Sequence, residues 1–225
     1  LPAESLAKGT EDYVIAIFGG PEVPGLAHAI IDGKLVVESP EATLRAGRQA
    51  MVPVIVGAND ADLASSPAKT KEALFAMFGA QAASARKLYD PKGDKSLPVL
   101  VQDILADKLM VEPSRHLAEA MTKAGQPAYW YRFSYVPEVL RGKLAGAVHA
   151  AEIPFAFGAV QVYLKDKATK ADLAMADTMS GYWVAFVKSG DPNGGGRPKW
   201  PRYDPATRDV VAVEVNVSCP NHHAR

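Results

Sequence analysis

Two short stretches of the chain are apolar almost without a break. Val52-Pro53-Val54-Ile55-Val56-Gly57 is β-branched through its centre, which predicts a strand covered on both faces. Ala128-Tyr129-Trp130-Tyr131-Arg132-Phe133-Ser134-Tyr135 is rich in aromatic residues and comes after a Gly-Gln-Pro break, which again predicts a strand. Asp209-Val210-Val211-Ala212-Val213-Glu214-Val215 is a third strand candidate. Between these runs the apolar residues recur at helical spacing. Ala68 to Tyr89 sets Leu74, Phe75, Met77, Phe78 and Leu88 among Lys, Glu and Ala. Gln102 to Ala124 carries Ile104, Leu105, Leu109, Met110, Leu117 and Met121. Ala171 to Lys188 ends at Ser189-Gly190 with a lysine in its last turn, a reasonable helix stop. Turn formers crowd two segments, Phe18 to Gly25 and Ser189 to Pro198, which predict loops. Strands alternating with helices imply a parallel sheet with helices on both faces. Two or three strands are too few to build such a sheet, so the pattern reads as part of a larger domain.

Composition narrows the function without choosing it. The 225 residues are 48% hydrophobic, with 25 basic and 25 acidic side chains. This balance leaves no basic field to displace counterions from a nucleic acid. No apolar run approaches the roughly 20 residues that cross a bilayer. The first residues, Leu1-Pro2-Ala3-Glu4-Ser5, show neither the basic nor the apolar part of a signal peptide. The single cysteine, Cys219, excludes an intrachain disulfide framework and lies in a polar setting that reads as an ordinary thiol. The histidines His28, His116, His149, His222 and His223 form no metal-binding spacing, and His222-His223 reads as tail.

The turns beyond the strands are where chemistry is to be sought, because functional groups in open α/β sheets gather past the strands' carboxyl ends. The first strand runs into Gly57-Ala58-Asn59-Asp60-Ala61-Asp62, a turn with two carboxylates. The second runs into a loop that reaches Gly146-Ala147-Val148-His149-Ala150-Ala151-Glu152. An acid first and a histidine later is the chain order of the α/β-hydrolase triad, Ser, Asp or Glu, then His. In that chemistry a histidine takes the serine proton and later returns it to the leaving group, while a carboxylate holds the tautomer and stabilises the imidazolium. Spacing alone also fits a solvated turn and a core histidine.

Longer motifs add to this reading. Gly146 to Gly158, with the sequence Gly-Ala-Val-His-Ala-Ala-Glu-Ile-Pro-Phe-Ala-Phe-Gly, resembles the histidine motif of the type B carboxylesterases, which include bacterial para-nitrobenzyl esterases and the cholinesterases. Further blocks resemble that family in its order. These are Ile31-Asp32-Gly33 with Ser39-Pro40, Val52 to Asn59, Tyr129 to Phe133, Met179 to Phe186, Gly190-Asp191-Pro192-Asn193, and Pro198 to Tyr203. The resemblance runs from about Gly20 to about Tyr203. It implies an α/β-hydrolase fold, of which residues 1–225 form the carboxyl-terminal half, with the later parallel strands and their covering helices. It implies hydrolysis of carboxylic esters through a serine acyl-enzyme, with Asp62 as the acid and His149 as the base. No cofactor and no metal is called for. A secreted or periplasmic setting is favoured over a cytoplasmic one by the resemblance only.

Two departures bear on that expectation. The family usually has Glu where Asp62 stands, and Asp60 in the same turn is a rival acid. The nucleophile motif Gly-x-Ser-x-Gly occurs nowhere in the 225 residues. The expected partner is therefore an amino-terminal segment of the same enzyme that carries the serine, beside the small-molecule ester itself. Gly19-Gly20 reads as a plain turn rather than an oxyanion loop. The alternative to an esterase is a cholinesterase-like binding or adhesion module without turnover, or an inactive fragment. Among the remaining residues, Glu152 stands either as support for the histidine loop or as an ordinary paired carboxylate. Phe155 and Phe157 read either as acyl-pocket or as core residues. Trp183, Trp200 and Tyr203 are expected to pack the later loop.

Overall fold

A computed structural model describes residues 31–62, 66, 68–207 and 211–212. The described residues divide into two compact units, 31–49 with 66 and 68–109, and 50–62 with 110–207 and 211–212.

The first unit is helical where described. Helix α1 (Pro40–Arg45) starts at Ser39, whose hydroxyl accepts the Ala42 N–H, with proline in its first turn where no amide is needed. Upstream, the Asp32 carboxylate gathers the amides of Lys34, Leu35 and Val36 into a turn. Helices α2 (Lys71–Ala76), α3 (Ala82–Tyr89) and α4 (Leu97–Ala106) enclose a core of Leu74, Phe75, Leu100, Ile104 and Leu105. Lys71 Nζ donates to the buried Asp90 carboxylate at 2.8 Å and to the Gly93 carbonyl at 2.9 Å.

The single helix expected over 68–89 is thus interrupted. Gly79 takes φ +53°, a left-handed conformation that ends helices, and a short 3₁₀ turn at Gly79–Gln81 leads into α3. The helix expected over 102–124 is also two. It begins earlier, at Leu97, and a π-helical turn at Asp107–Val111 separates α4 from α5 (Glu112–Lys123). Pro113 sits in the first turn of α5, where its missing N–H and its ring forbid the ordinary α-helical bond back to Leu109.

The second unit holds the sheet. Strands β1 (Val54–Asn59) and β2 (Ala128–Phe133) pair in parallel, with Val54 opposite Ala128 and Asn59 opposite Phe133. Strand β1 begins two residues later than its apolar run. Pro53 has no amide to give, Val52 is exposed, and the first ladder bond is Val54 N–H to the Pro127 carbonyl at 2.9 Å. Beyond β2 come helices α6 (Ile153–Ala156), α7 (Val160–Leu164) and α8 (Lys170–Ser189). The described part of the third expected strand is β3 (Val211–Ala212), parallel to β2 at Tyr131 and Arg132. The order among the described strands is β1-β2-β3. The expected loop at 18–25, Cys219, His28, His222 and His223 lie outside the described residues.

Side chains alternate across this sheet as parallel strands require. On one face Val54, Val56, Ala58, Ala128 and Trp130 meet α5 through Leu117, Ala118 and Met121. On the other, Ile55 and Tyr129 meet Tyr182 and Trp200, while Phe133 joins Phe155, Met175 and Met179. Both faces are covered, as the apolar runs require. Gly57 is needed here, because a Cβ would come within 2.4 Å of the Tyr131 ring.

Helix α8 is fixed at both ends. Gly190, at φ +74°, closes its carboxyl end. At its start Thr169 and Asp172 form a reciprocal capping box. The Asp172 side chain is fully buried and also accepts the Tyr135 hydroxyl at 2.7 Å. Burial alone would raise the Asp172 carboxyl's pKa, but hydrogen bonds from Thr169, Tyr135 and the Glu138 amide outweigh it and hold the group below its ordinary value. A carboxyl that titrates lower folded than unfolded contributes stability above the unfolded pKa near 3.9, and loses it as pH falls through the folded value. Asp172→Ala is expected to lower unfolding free energy at neutral pH by about 2–4 kcal/mol, since a cap is lost and a buried hydroxyl is left unpaired. In denaturant titrations at a series of pH values, the gap between parent and variant should narrow below about pH 4. A gap that widens on acidification would contradict this account.

Candidate active site

The site is built where β1 ends. The ladder with β2 carries the chain to Asp60, whose amide donates to the Phe133 carbonyl at 3.0 Å. The chain then turns, and Ala61 forms an isolated parallel bridge with Val148, its amide donating to the Ala147 carbonyl at 3.1 Å. The histidine loop is therefore laid directly against the end of the acid strand. The two expected site residues meet there. His149 Nδ1 lies 2.6 Å from Asp62 Oδ1. An ionised carboxylate only accepts, so Nδ1 carries the proton and donates it, which leaves Nε2 as the ring's proton acceptor.

The environments of the pair differ. The Asp62 side chain is 7% exposed and that of His149 58% exposed. Asp62 also accepts the Asn59 amide through Oδ2 at 3.2 Å, so both carboxylate oxygens are engaged inside the fold. The imidazole presents its outer edge to solvent. A buried, oriented carboxylate behind an accessible imidazole is the arrangement needed to fix a tautomer and stabilise an imidazolium.

Asp60, the rival acid, does something else. Its Oδ1 accepts the Ala147 amide at 2.7 Å, tying the histidine loop to β1 two residues before the imidazole. Gly146 makes room for this contact, because a Cβ there would fall 2.6 Å from the same oxygen. The turn after His149 is strained. Ala150 takes φ +64°, a left-handed conformation costing an L side chain roughly 1–2 kcal/mol.

Glu152 supports the loop from its far side, accepting the Asn59 side-chain amide through Oε2 at 2.5 Å. Of the two phenylalanines, Phe155 is a core residue at 1% exposure and packs on Phe133 and Tyr135, whereas Phe157 is 81% exposed. Trp183, Trp200 and Tyr203 pack as expected, with Trp200 and Tyr203 buried and the Trp183 ring 5.4 Å from that of Tyr131. Tyr131 has no signal of its own in the sequence. Burial, with the negative charges of Glu152 and Asp62, raises its pKa well above that of an ordinary phenol and keeps it neutral. Asn59 has little signal either, beyond its place in a motif and the oddity of an amide ending an otherwise apolar strand. Among the described residues, no group of three or more His, Cys, Asp or Glu is arranged to hold a metal. No helix among them is long and apolar enough to cross a membrane.

A sequence model of the carboxylesterase family matches residues 80–224. The chain belongs to that family. Among its relatives, rat carboxylesterase 1D is 35% identical over 108 residues, which span 47% of this chain and 19% of the rat protein. Rabbit liver carboxylesterase 1 is 37% identical over a stretch of the same length. A duck protein named as a medium-chain fatty acyl-CoA hydrolase precursor is 36% identical over 105 residues. A solved PNB esterase superposes with a TM-score of 0.72 at 25% identity, covering 95% of this chain and 45% of that one. The fold is therefore that of the α/β-hydrolases, represented by the later strands of the sheet with their helices. This carboxylesterase-family chain spans under half the length of the solved esterase, and its aligned part about a fifth of these curated relatives.

Proposed function

We propose that this chain supplies the acid and the base of a serine carboxylester hydrolase. In this reading residues 1–225 are the carboxyl-terminal part of one α/β-hydrolase domain, and the nucleophilic serine comes from sequence outside them. The observation that carries the reading is the 2.6 Å contact between the buried Asp62 and the accessible His149, at the carboxyl end of a parallel strand. Family membership supports ester hydrolysis as the reaction.

In this reading the chemistry of such a pair orders the steps. His149 Nε2 accepts the serine proton as the serine oxygen attacks the ester carbonyl, and Asp62 stabilises the imidazolium so formed. The imidazolium gives that proton to the departing alkoxide, which leaves as the alcohol, with the acyl group now on the serine. Water then repeats the sequence. His149 takes its proton, the hydroxide adds to the acyl carbon, and the serine oxygen leaves with the proton returned from Nε2, releasing the carboxylic acid. Neither step draws on a metal or a redox cofactor.

The test uses the full-length polypeptide that carries this chain, with a para-nitrophenyl ester as substrate and a serine-directed phosphonate as label. We expect turnover that the phosphonate abolishes, with the label on one serine outside residues 1–225. The 225-residue chain alone should neither hydrolyse the ester nor take the label. Labelling of a serine within these 225 residues, or turnover indifferent to the phosphonate, would overturn the reading.

A further inference from the structure

Asn59 ends β1 and is 2% exposed. Its backbone amide donates to Asp62 Oδ2 at 3.2 Å. Its side-chain amide donates twice, to the Val148 carbonyl at 2.8 Å and to Glu152 Oε2 at 2.5 Å. One residue thus grips the acid with its main chain and, with its side chain, grips the histidine loop on both sides of His149. The contacts span 89 and 93 positions of sequence. The orientation of the amide is forced. Turned over, its oxygen would face a carbonyl and a carboxylate, neither of which can donate. The cost of this choice is visible, because Asn59 Oδ1 is buried with no hydrogen-bond partner among the described residues. A buried acceptor left unpaired calls for an explanation, and a demand on the other end of the amide supplies one.

The loop that Asn59 holds also needs holding. Ala150 is in the left-handed region between the two gripped residues, a conformation that persists only where surrounding contacts over-determine it. We infer that Asn59 is a positioning residue for the Asp62–His149 pair, fixing the imidazole's place by clamping Val148 and Glu152 to the end of the acid strand. The inference rests on the reading of that pair as the acid and base of an ester hydrolase.

Asn59→Ala and Asn59→Asp test it in the full-length polypeptide. The aspartate keeps the shape but replaces the donor with an acceptor aimed at two acceptors. Both variants are expected to lose roughly tenfold to a hundredfold in kcat, with KM within about twofold, since small misplacements of a catalytic group act on the reacting step. The far-downfield proton resonance of the His149–Asp62 hydrogen bond, identified by its loss in His149→Gln, should broaden or vanish in both. A role in stability alone would lower the unfolding temperature and leave kcat and this resonance in place, which would overturn the inference. Should Asn59→Ala fail to fold, Glu152→Ala removes one of the amide's two acceptors from a half-exposed position. It should lower kcat in the same direction by a smaller factor, and an unchanged kcat would overturn the inference as well. Failure of the underlying reading looks different, since His149→Gln would then retain turnover whatever Asn59 does.

Discussion

His149→Ala in the full-length polypeptide is expected to lose nearly all turnover of a simple aryl ester while its unfolding temperature barely moves. The two halves of that result have separate causes. The imidazole is 58% exposed at its side chain, and its one hydrogen bond among the described contacts is to Asp62, so its removal opens little of the core. Its chemistry, in contrast, has no understudy. In the proposed mechanism Nδ1 is committed to Asp62 and the other ring nitrogen moves the proton in both half-reactions, and loss of such a base typically costs roughly four to six orders of magnitude in kcat. His116, exposed on α5, is the internal control and should be replaceable without effect. Steady-state assays beside thermal unfolding decide the matter. Activity within tenfold of the parent would remove His149 from the proposed mechanism.

Asp62→Asn should come next in severity, and Asp60→Asn should fall far behind. An asparagine at position 62 can turn its amide towards Nδ1 and so force the ring proton onto Nε2, the nitrogen that has to accept. The wrong tautomer costs about 10⁴-fold in kcat in the serine-hydrolase precedent. The environment magnifies the change, because Asp62 is buried and both its oxygens are already engaged. At position 60 the Ala147 amide needs an acceptor, and an asparagine oxygen meets that need. Asp60→Asn should therefore stay within about tenfold, a loss on the order of 1 kcal/mol for one neutral bond in place of a charged one. Matched kinetics on both variants give the ranking. The reverse order would make Asp60 the acid and Asp62 the clamp.

The strengths and gaps of the sequence reading have physical origins. Strands β1 and β2 are legible because burial on both faces demands uninterrupted apolar runs. Their ends are less so, since Pro53, through its missing amide, rather than hydrophobicity, decides where the ladder starts. Helix α8 reads closely, because Thr169 and Gly190 carry their own start and stop chemistry. The breaks at Gly79 and at Asp107–Val111 are hidden, since apolar residues recur at helical spacings in the sequence on either side of each. At the site, motif and chain order anticipate the meeting of Asp62 with His149. They leave the different work of Asp60 open, because two carboxylates two residues apart are distinguished only by how the turn folds. Asn59 escapes notice for a related reason. An amide's importance lies in partners that local sequence does not contain.

The way the histidine loop is anchored bears on how such a protein tolerates change over generations. After β2 the chain is pinned at Tyr135 and Glu138 to Asp172, and again at Ala147 to Asp60. Between these pins Arg141, Gly142, Lys143 and Ala145 face solvent. Insertions there need not travel to the imidazole, since its coordinates are inherited from β1 rather than from the segment that precedes it. Doubling the length of a flexible connection costs only about 0.6 kcal/mol of closure entropy. Lineages can therefore rewrite this stretch at little expense to the Asp62–His149 contact.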